Sequence, residues 1–351
     1  MWLIYLLFLI GGMYAPGIYA QRSDTISVSS PYVIPVHRSG TPPVPDPLPF
    51  RAIRVLDARF DTAKVGYMNI RYRLHPLTVK GGLSGGLSAH FQTAMGAKLS
   101  KSDTSTLLIV VRRLWLKDWH NAGTRENKIV HAGDKTFATR VNACLEIYRA
   151  QDTTYIPLFR LDSLFFFRAP LGRITEAALL EPFYAAIEKA GALPADRSRR
   201  MIGITEWNRH YEAARSLTCL TKAPPAKGIY RTYKDFVNNT PWDIPFTVER
   251  DNQTSHVMIE DGGRKTILRE LWGYSDGKQV FIQSGFSFYR LKRTGDAFEF
   301  YGSEFLTHHF SGYDNSVNTG ADLVVRALQY KNKHKEERRP LQIDMESGRP
   351  L

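Results

Sequence analysis

Cysteine is nearly absent. Among 351 residues there are two, Cys144 and Cys219. Two cysteines are no disulfide framework, so an apolar core must hold the fold. Export would permit one Cys144–Cys219 bridge, and buried free thiols are the alternative. The first twenty residues contain no Asp, Glu, Lys or Arg. Acidic side chains are in deficit throughout, 34 against 47 basic ones, for a net charge of +13. That balance favours anionic partners such as lipid headgroups, lipopolysaccharide phosphates or acidic glycans. The bland reading of the dispersed basic residues is a solvated surface. Long apolar runs are lacking beyond the amino terminus. Leu161 to Phe167 is the next most apolar stretch, and Asp162 interrupts it. No later segment approaches the ~20 residues of a membrane span.

The first twenty residues read as a signal peptide. Trp2 to Ile10 is almost wholly apolar, Gly11, Gly12 and Pro16 break the run, and Ala20 supplies the small residue before cleavage at Gln21. An uncleaved anchor is the competing reading, but the run is short for a span. No Cys lies near position 20, which argues against a lipoprotein anchor. The expected location is exported, in the periplasm or on an outward-facing part of the envelope. Export argues against nucleic acid as the physiological partner.

Residues 21–49 form a proline-rich linker. Pro42, Pro43, Pro45, Pro47 and Pro49 favour an extended polyproline spacer. Residues 50–222 are expected to form an α+β domain. Ala52 to Phe60 reads as a strand, Gly81, Gly82, Gly85 and Gly86 as a flexible loop, and Leu87, Phe91, Met95 and Leu99 as the stripe of a helix. Leu107 to Leu116, closed by Trp115 and Trp119, reads as a central strand buried on both faces. Ala138 to Arg149 and Tyr155 to Phe166 read as a hairpin, with Val141, Ala143, Leu145 and Ile147 on one face and Cys144 on the other. Two helices follow, one with Leu180, Phe183, Tyr184 and Ile187 inward and Pro182 confined to its first turn. The other is capped by Thr205, with Trp207, Tyr211 and Ala214 inward.

Lys222 to Lys227, with Pro224 and Pro225, marks a boundary. Residues 223–351 are expected to form a β-rich module with a charged carboxy-terminal segment. Thr232 to Asp235 is a capping box before a short helix through Phe236, stopped by Asn238, Asn239 and Pro241. Five short strands are expected, at 246–249, 257–259, 280–283, 287–290 and 298–301. Asp276-Gly277 and Thr294-Gly295-Asp296 are hairpin signals. Ala321 to Tyr330 reads as a short helix, Lys331 to Arg339 as a charged tail, and Leu341 to Met345 as a final strand. The fold class is therefore α+β in two domains, each with a mainly antiparallel sheet and with helices concentrated in the first.

Several residues carry candidate chemistry. Gly82-Leu-Ser84-Gly-Gly86 matches the tight turn that exposes a serine nucleophile, but the following chain does not read as the parallel βαβ succession such a hydrolase needs. A glycine-rich loop before a helix is the bland alternative for Ser84. His308 and His309, beside Asp314, have no third ligand at zinc spacing, so no metal and no cofactor are expected. Glu260 with Asp261, or Asp296 with Glu299, could serve glycoside hydrolysis only if folding set each pair across a cleft. Trp242, Trp272 and Tyr274, with Phe286, Phe288 and Tyr289, could form a sugar-binding platform, against their use as core. Trp272 and Tyr274 are expected on one face of a strand.

The stretch Gly228-Ile-Tyr-Arg-Thr-Tyr-Lys-Asp-Phe-Val-Asn-Asn-Thr-Pro241, the acidic and glycine-rich residues 261–263, Leu271-Trp-Gly-Tyr-Ser-Asp-Gly-Lys278, Phe298-Glu-Phe-Tyr-Gly302 and Ile343-Asp-Met-Glu-Ser-Gly348 resemble uncharacterised secreted proteins of Bacteroidota. Leu56-Asp-Ala-Arg-Phe-Asp-Thr62 and Leu107 to Leu116 are similar to the amino-terminal half of the same group. The resemblance covers most of the mature chain. It implies a cell-envelope location and a two-part architecture, and it brings no catalytic residues. The first half is also similar at fold level to small α+β domains of envelope-assembly lipoproteins, which establishes no function. The leading expectation is a non-enzymatic envelope protein that binds another envelope protein or an anionic glycan or lipid surface. A hydrolase using Ser84 and a glycan-binding module are the alternatives.

Overall fold

The computed structural model describes residues 29–36, 46–70, 73–118, 138–193, 200–221, 224–250, 255–284, 287–302 and 339–351. The signal segment, much of the proline run, Trp119, His308, His309, Asp314, the 321–330 helix and all but the end of the charged tail lie outside these residues. The fold is α+β, with several mainly antiparallel sheets.

The first sheet is built on β5 (Thr106–Asp118), whose Leu, Ile and Val residues, the half-buried Leu108 apart, are buried on both faces, as its composition predicts. The hairpin partners β6 (Thr139–Gln151) and β7 (Thr154–Phe167) follow antiparallel. On the other edge of β5 two strands lie end to end, both parallel to it. The first is β2 (Ala52–Asp57), paired from Thr106 to Val111. The second is β3 (Gly66–Ile70), paired at Leu116 and Lys117. Between them, Ala58 to Val65 leaves the sheet. The rejoining point demands Gly66, which has φ 145° and no room for a Cβ, since one would lie 1.9 Å from the Leu116 carbonyl oxygen. Outward from β3 come β4 (Arg73–Val79), antiparallel, and β1 (Tyr32–Ile34), parallel to β4. A short β8 (Ile202–Gly203) pairs with the start of β7.

Helices α1 (Leu83–Met95) and α2 (Leu171–Ala192) cover one face of this sheet. Their Leu87, Phe91, Leu179, Phe183 and Ile187 share a core with Ile53, Ile109, Val141 and Leu145. On the opposite face, α3 (Ile204–Arg215) sets Trp207 and Tyr211 against Val110 and Tyr148. Cys144 is buried outside the first core, as the period of two predicts.

Three local expectations are corrected. Helix α1 begins at Leu83, so Gly85 and Gly86 belong to its first turn and not to a loop. The helix there approaches the chain so closely that a Cβ on Gly86 would lie 2.2 Å from the Lys80 carbonyl oxygen. Pro182 is not in the first turn of its helix but inside α2 and buried. Packing of the helix on both sides of Pro182 outweighs a penalty of about 3 kcal/mol for the lost N–H bond. The third helix starts at Ile204 after Gly203, so Thr205 is not its cap.

The second part holds a six-stranded antiparallel sheet in the order β17 (Arg339–Gln342), β16 (Ala297–Gly302), β15 (Ser287–Thr294), β14 (Val280–Ser284), β13 (Gly273–Ser275), β9 (Gly228–Tyr230). A helix α4 (Thr218–Thr221) precedes it. Alternation divides its residues. Tyr230, Ile282, Leu291 and Phe300 face one core, which α5 (Tyr233–Val237) covers with Phe236. Ile229, Tyr274 and Phe281 face another, covered by a three-stranded sheet of β10 (Phe246–Arg250), β11 (Ser255–Asp261) and β12 (Arg264–Leu268). The capping box is present: Thr232 Oγ1 accepts from the Asp235 N–H, and the Asp235 carboxylate accepts from the Thr232 N–H.

Candidate functional site

Ser84 stands in the first turn of α1, against the free edge of β2. Its Oγ accepts the Asp57 N–H at 2.7 Å, and Ser88 Oγ, one turn on, accepts the Val55 N–H at 2.9 Å. The two hydroxyls thus take the place of a neighbouring strand. Among the described residues no histidine is hydrogen-bonded to Ser84. His90, on the same helix, is bonded instead to the Tyr184 hydroxyl at 2.9 Å.

The aromatic candidates are separated. Tyr274 is buried and stacks on Phe281. Trp272 stacks on Phe236 in the other core, so the two do not share a face. The cause is a local irregularity: the Trp272 N–H is shared between the Tyr230 and Arg231 carbonyls. Gly273 then passes so close to β14 that a Cβ would meet the Phe281 carbonyl oxygen at 2.3 Å. Phe286 lies outside the described residues; among the described candidates only Trp242 is exposed, with the Arg231 guanidinium 5.0 Å from its ring centre.

The carboxylate candidates stand on two hairpins. Glu260 takes the position opposite Lys265, and Asp261 the position opposite Arg264, in the β11–β12 backbone register. Asp296 is 3.7 Å from Arg293, whereas Glu299 turns toward the first sheet. Both thiols are free. Burial pushes the Cys144 thiol up to about 12 and the Cys219 thiol up to about 11, away from the thiolate form that a nucleophile needs. Among the described residues no three His, Cys, Asp or Glu side chains come together as a metal site.

The strongest constellation lies where the two parts meet, and sequence reasoning missed it. The excursion Ala58 to Val65 is held by Arg59, which grips Asp57 through Nε and Nη2 and donates to the Lys64 carbonyl at 2.6 Å. It projects Phe60 against the core of the six-stranded sheet. Buried Lys64 lies 2.8 Å from Asp61 and 2.8 Å from Glu299 of β16. Gln342 of β17 donates to Asp61 at 3.1 Å. Tyr67 donates to Glu299 at 3.3 Å, and burial followed by that carboxylate pushes its hydroxyl up to about 12.

A second cluster sits beside the first. In β5 the pairing slips between Val111 and Arg113, leaving Arg112 without a β6 partner. Neighbours in a regular strand point to opposite faces, but this bulge lets both arginines reach one turn. Arg112 Nε donates to Glu346 at 2.8 Å, and Arg113 Nη1 to Asp344 at 2.7 Å. Arg160 of β7 donates to the other Glu346 oxygen at 2.7 Å. Arg113 is fixed in turn by Asn142 at 2.9 Å and by Asp162. Glu146 accepts from Tyr211 at 2.6 Å, from Tyr148 at 3.0 Å and from Arg160 at 3.3 Å. Burial alone would raise the Glu346 carboxyl; hydrogen bonds and charge from Arg112 and Arg160 hold it below the usual range.

Between the clusters lies a cavity of about 30 Å³, bordered by Arg59, Asp61, Arg112, Arg113 and Asp344. It has space for a water or two and none for an organic substrate. The arrangement is chemically a joint: its charges are paired across two sheets that share no strand pairing among the described residues. No protein-family model, curated protein or solved structure matches the chain.

Proposed function

We propose that the chain is a non-enzymatic exported envelope protein that binds another envelope component, with residues 1–20 as its signal peptide and 21–49 as a spacer. We divide the remainder into an α+β domain at 50–222 and a β-rich module at 223–351. The observation that carries the non-enzymatic reading is the placement of Ser84. Its oxygen serves the Asp57 backbone N–H on a covered strand edge, which is a structural use and not the exposed turn of a nucleophile. The net charge of +13 favours a partner with an anionic surface, whether protein, glycan or lipid. The resemblance to secreted Bacteroidota proteins supports the envelope location. Among the described residues no helix is long and apolar enough to cross a membrane.

Crosslinking of the tagged protein in the intact envelope, followed by mass spectrometry, tests the reading. One recurrent protein partner is the expected result. Labelling of purified protein by a serine-directed fluorophosphonate, abolished in Ser84→Ala, would replace this reading with the hydrolase. A glycan-binding reading has one specific support, the exposed Trp242 beside Arg231. It requires that an acidic oligosaccharide quench tryptophan emission in the native protein and not in Trp242→Ala.

A further inference from the structure

The turn after β17 is rigid before it touches the first sheet. Asp344 Oδ1 accepts the Glu346 N–H at 3.2 Å, and Oδ2 accepts the Ser347 hydroxyl at 2.6 Å. The Gly348 N–H closes the turn on the Asp344 carbonyl at 2.7 Å. Behind it, Tyr233 donates to the Met345 carbonyl at 2.8 Å, and Trp272 to the Gly348 carbonyl at 3.4 Å. Gly348 has φ 74°, and a Cβ there would strike the Tyr233 ring at 2.2 Å. Ile343 and Met345 are buried in the second core. Two carboxylates are thus presented on a backbone that belongs wholly to the six-stranded sheet.

The receiving side is equally prepared and belongs wholly to the first sheet. Arg112 and Arg113 come from the β5 bulge and Arg160 from β7, with Asn142 and Asp162 orienting Arg113. The Arg112 guanidinium also lies over the Tyr211 ring, 5.2 Å from its centre. Bonds from planar guanidiniums to carboxylates are directional, so they fix orientation as well as proximity.

We propose that the turn Asp344–Gly348 is a clasp that, beside the Lys64 cluster, couples the stability of the two sheets. Opening either sheet forfeits its contacts, whereas a bond inside one sheet is forfeited only when that sheet opens.

The experiment is hydrogen exchange read by mass spectrometry on the full chain, comparing peptides from β14–β16 with peptides from β5–β6. Glu346→Gln is expected to accelerate exchange in both sets by the same factor, at least tenfold. Thr232→Ala, which removes a helix cap wholly inside the second part, is expected to accelerate β14–β16 alone. Arg160→Gln removes the opposite side of the contact at a half-exposed position, together with its bond to Glu146 inside the first sheet. Both sets should then accelerate, β5–β6 at least as much as β14–β16, so misfolding of one variant does not remove the test. Acceleration of one set only by Glu346→Gln, of neither set, or of both sets equally by Thr232→Ala overturns the clasp.

Discussion

Lys64 shows how much a single buried charge can depend on its neighbours. Burial by itself would lower its pKa, but Glu299 and Asp61 overcome that and hold it above the ordinary lysine value. Its folded-state pKa is raised, so its contribution is fully present below the unfolded value and is lost as pH rises through the folded one. Lys64→Met leaves Asp61 and Glu299 facing each other without a cation. A loss of about 3–5 kcal/mol is expected, read as a lower urea midpoint. Ser84→Ala is expected to cost about 1–3 kcal/mol, because it strands the Asp57 N–H at a half-buried edge. Neither role was legible in the sequence. Tyr67 and its acceptor Glu299 are 232 positions apart, and no local pattern couples them. The glycines around Ser84 pointed to a flexible loop, where the chain uses them to start a helix close against Lys80.

Elements whose signals are local were read well. Alternation located β6 and its inward face, Asp276-Gly277 and Gly295-Asp296 located two hairpins, and Thr232 with Asp235 located α5. Thr232→Ala should remove about 1 kcal/mol, measurable as a shift of the thermal midpoint. Elements without such signals escaped. Strand β12, with Arg264, Lys265, Thr266 and Ile267 all exposed, has no alternation to betray it. The bulge of β5 left no mark either, because Val111, Arg112 and Arg113 continue an unbroken strand composition. Its effect on direction becomes visible only when the register with β6 is laid out.

For the molecule as a whole, pH should act on both flanks of stability. On the acid side, the depressed Glu346 contributes stability that is present above its unfolded pKa and lost as pH falls through the folded one. His90, depressed by burial, acts in the same sense and begins below the ordinary histidine value. On the alkaline side, burial raises Tyr67 and Tyr148 to about 12 and Tyr211 and Tyr233 further. Their contribution is complete below the unfolded tyrosine value near 10 and falls as pH rises beyond it. Denaturant midpoints across pH 3 to 11 should form a plateau with both shoulders, and the acid shoulder should be shallower in Glu346→Gln.

The end-to-end placement of β2 and β3 along β5 turns chain length into a mechanical setting. Five residue steps along β5, from Val111 to Leu116, separate their pairing points by roughly 16 Å. Ala58 to Val65 could stretch across roughly 27 Å, so the path carries slack, and that slack is what carries Phe60 outward. Shortening it by two residues, taken from Thr62 and Ala63, would cut that reach to roughly 20 Å and take up much of the slack without altering either strand's register. The first sheet should survive intact by circular dichroism while Phe60 is drawn back from the second. The number of residues in this one detour therefore helps to set how firmly two otherwise complete β structures are tied.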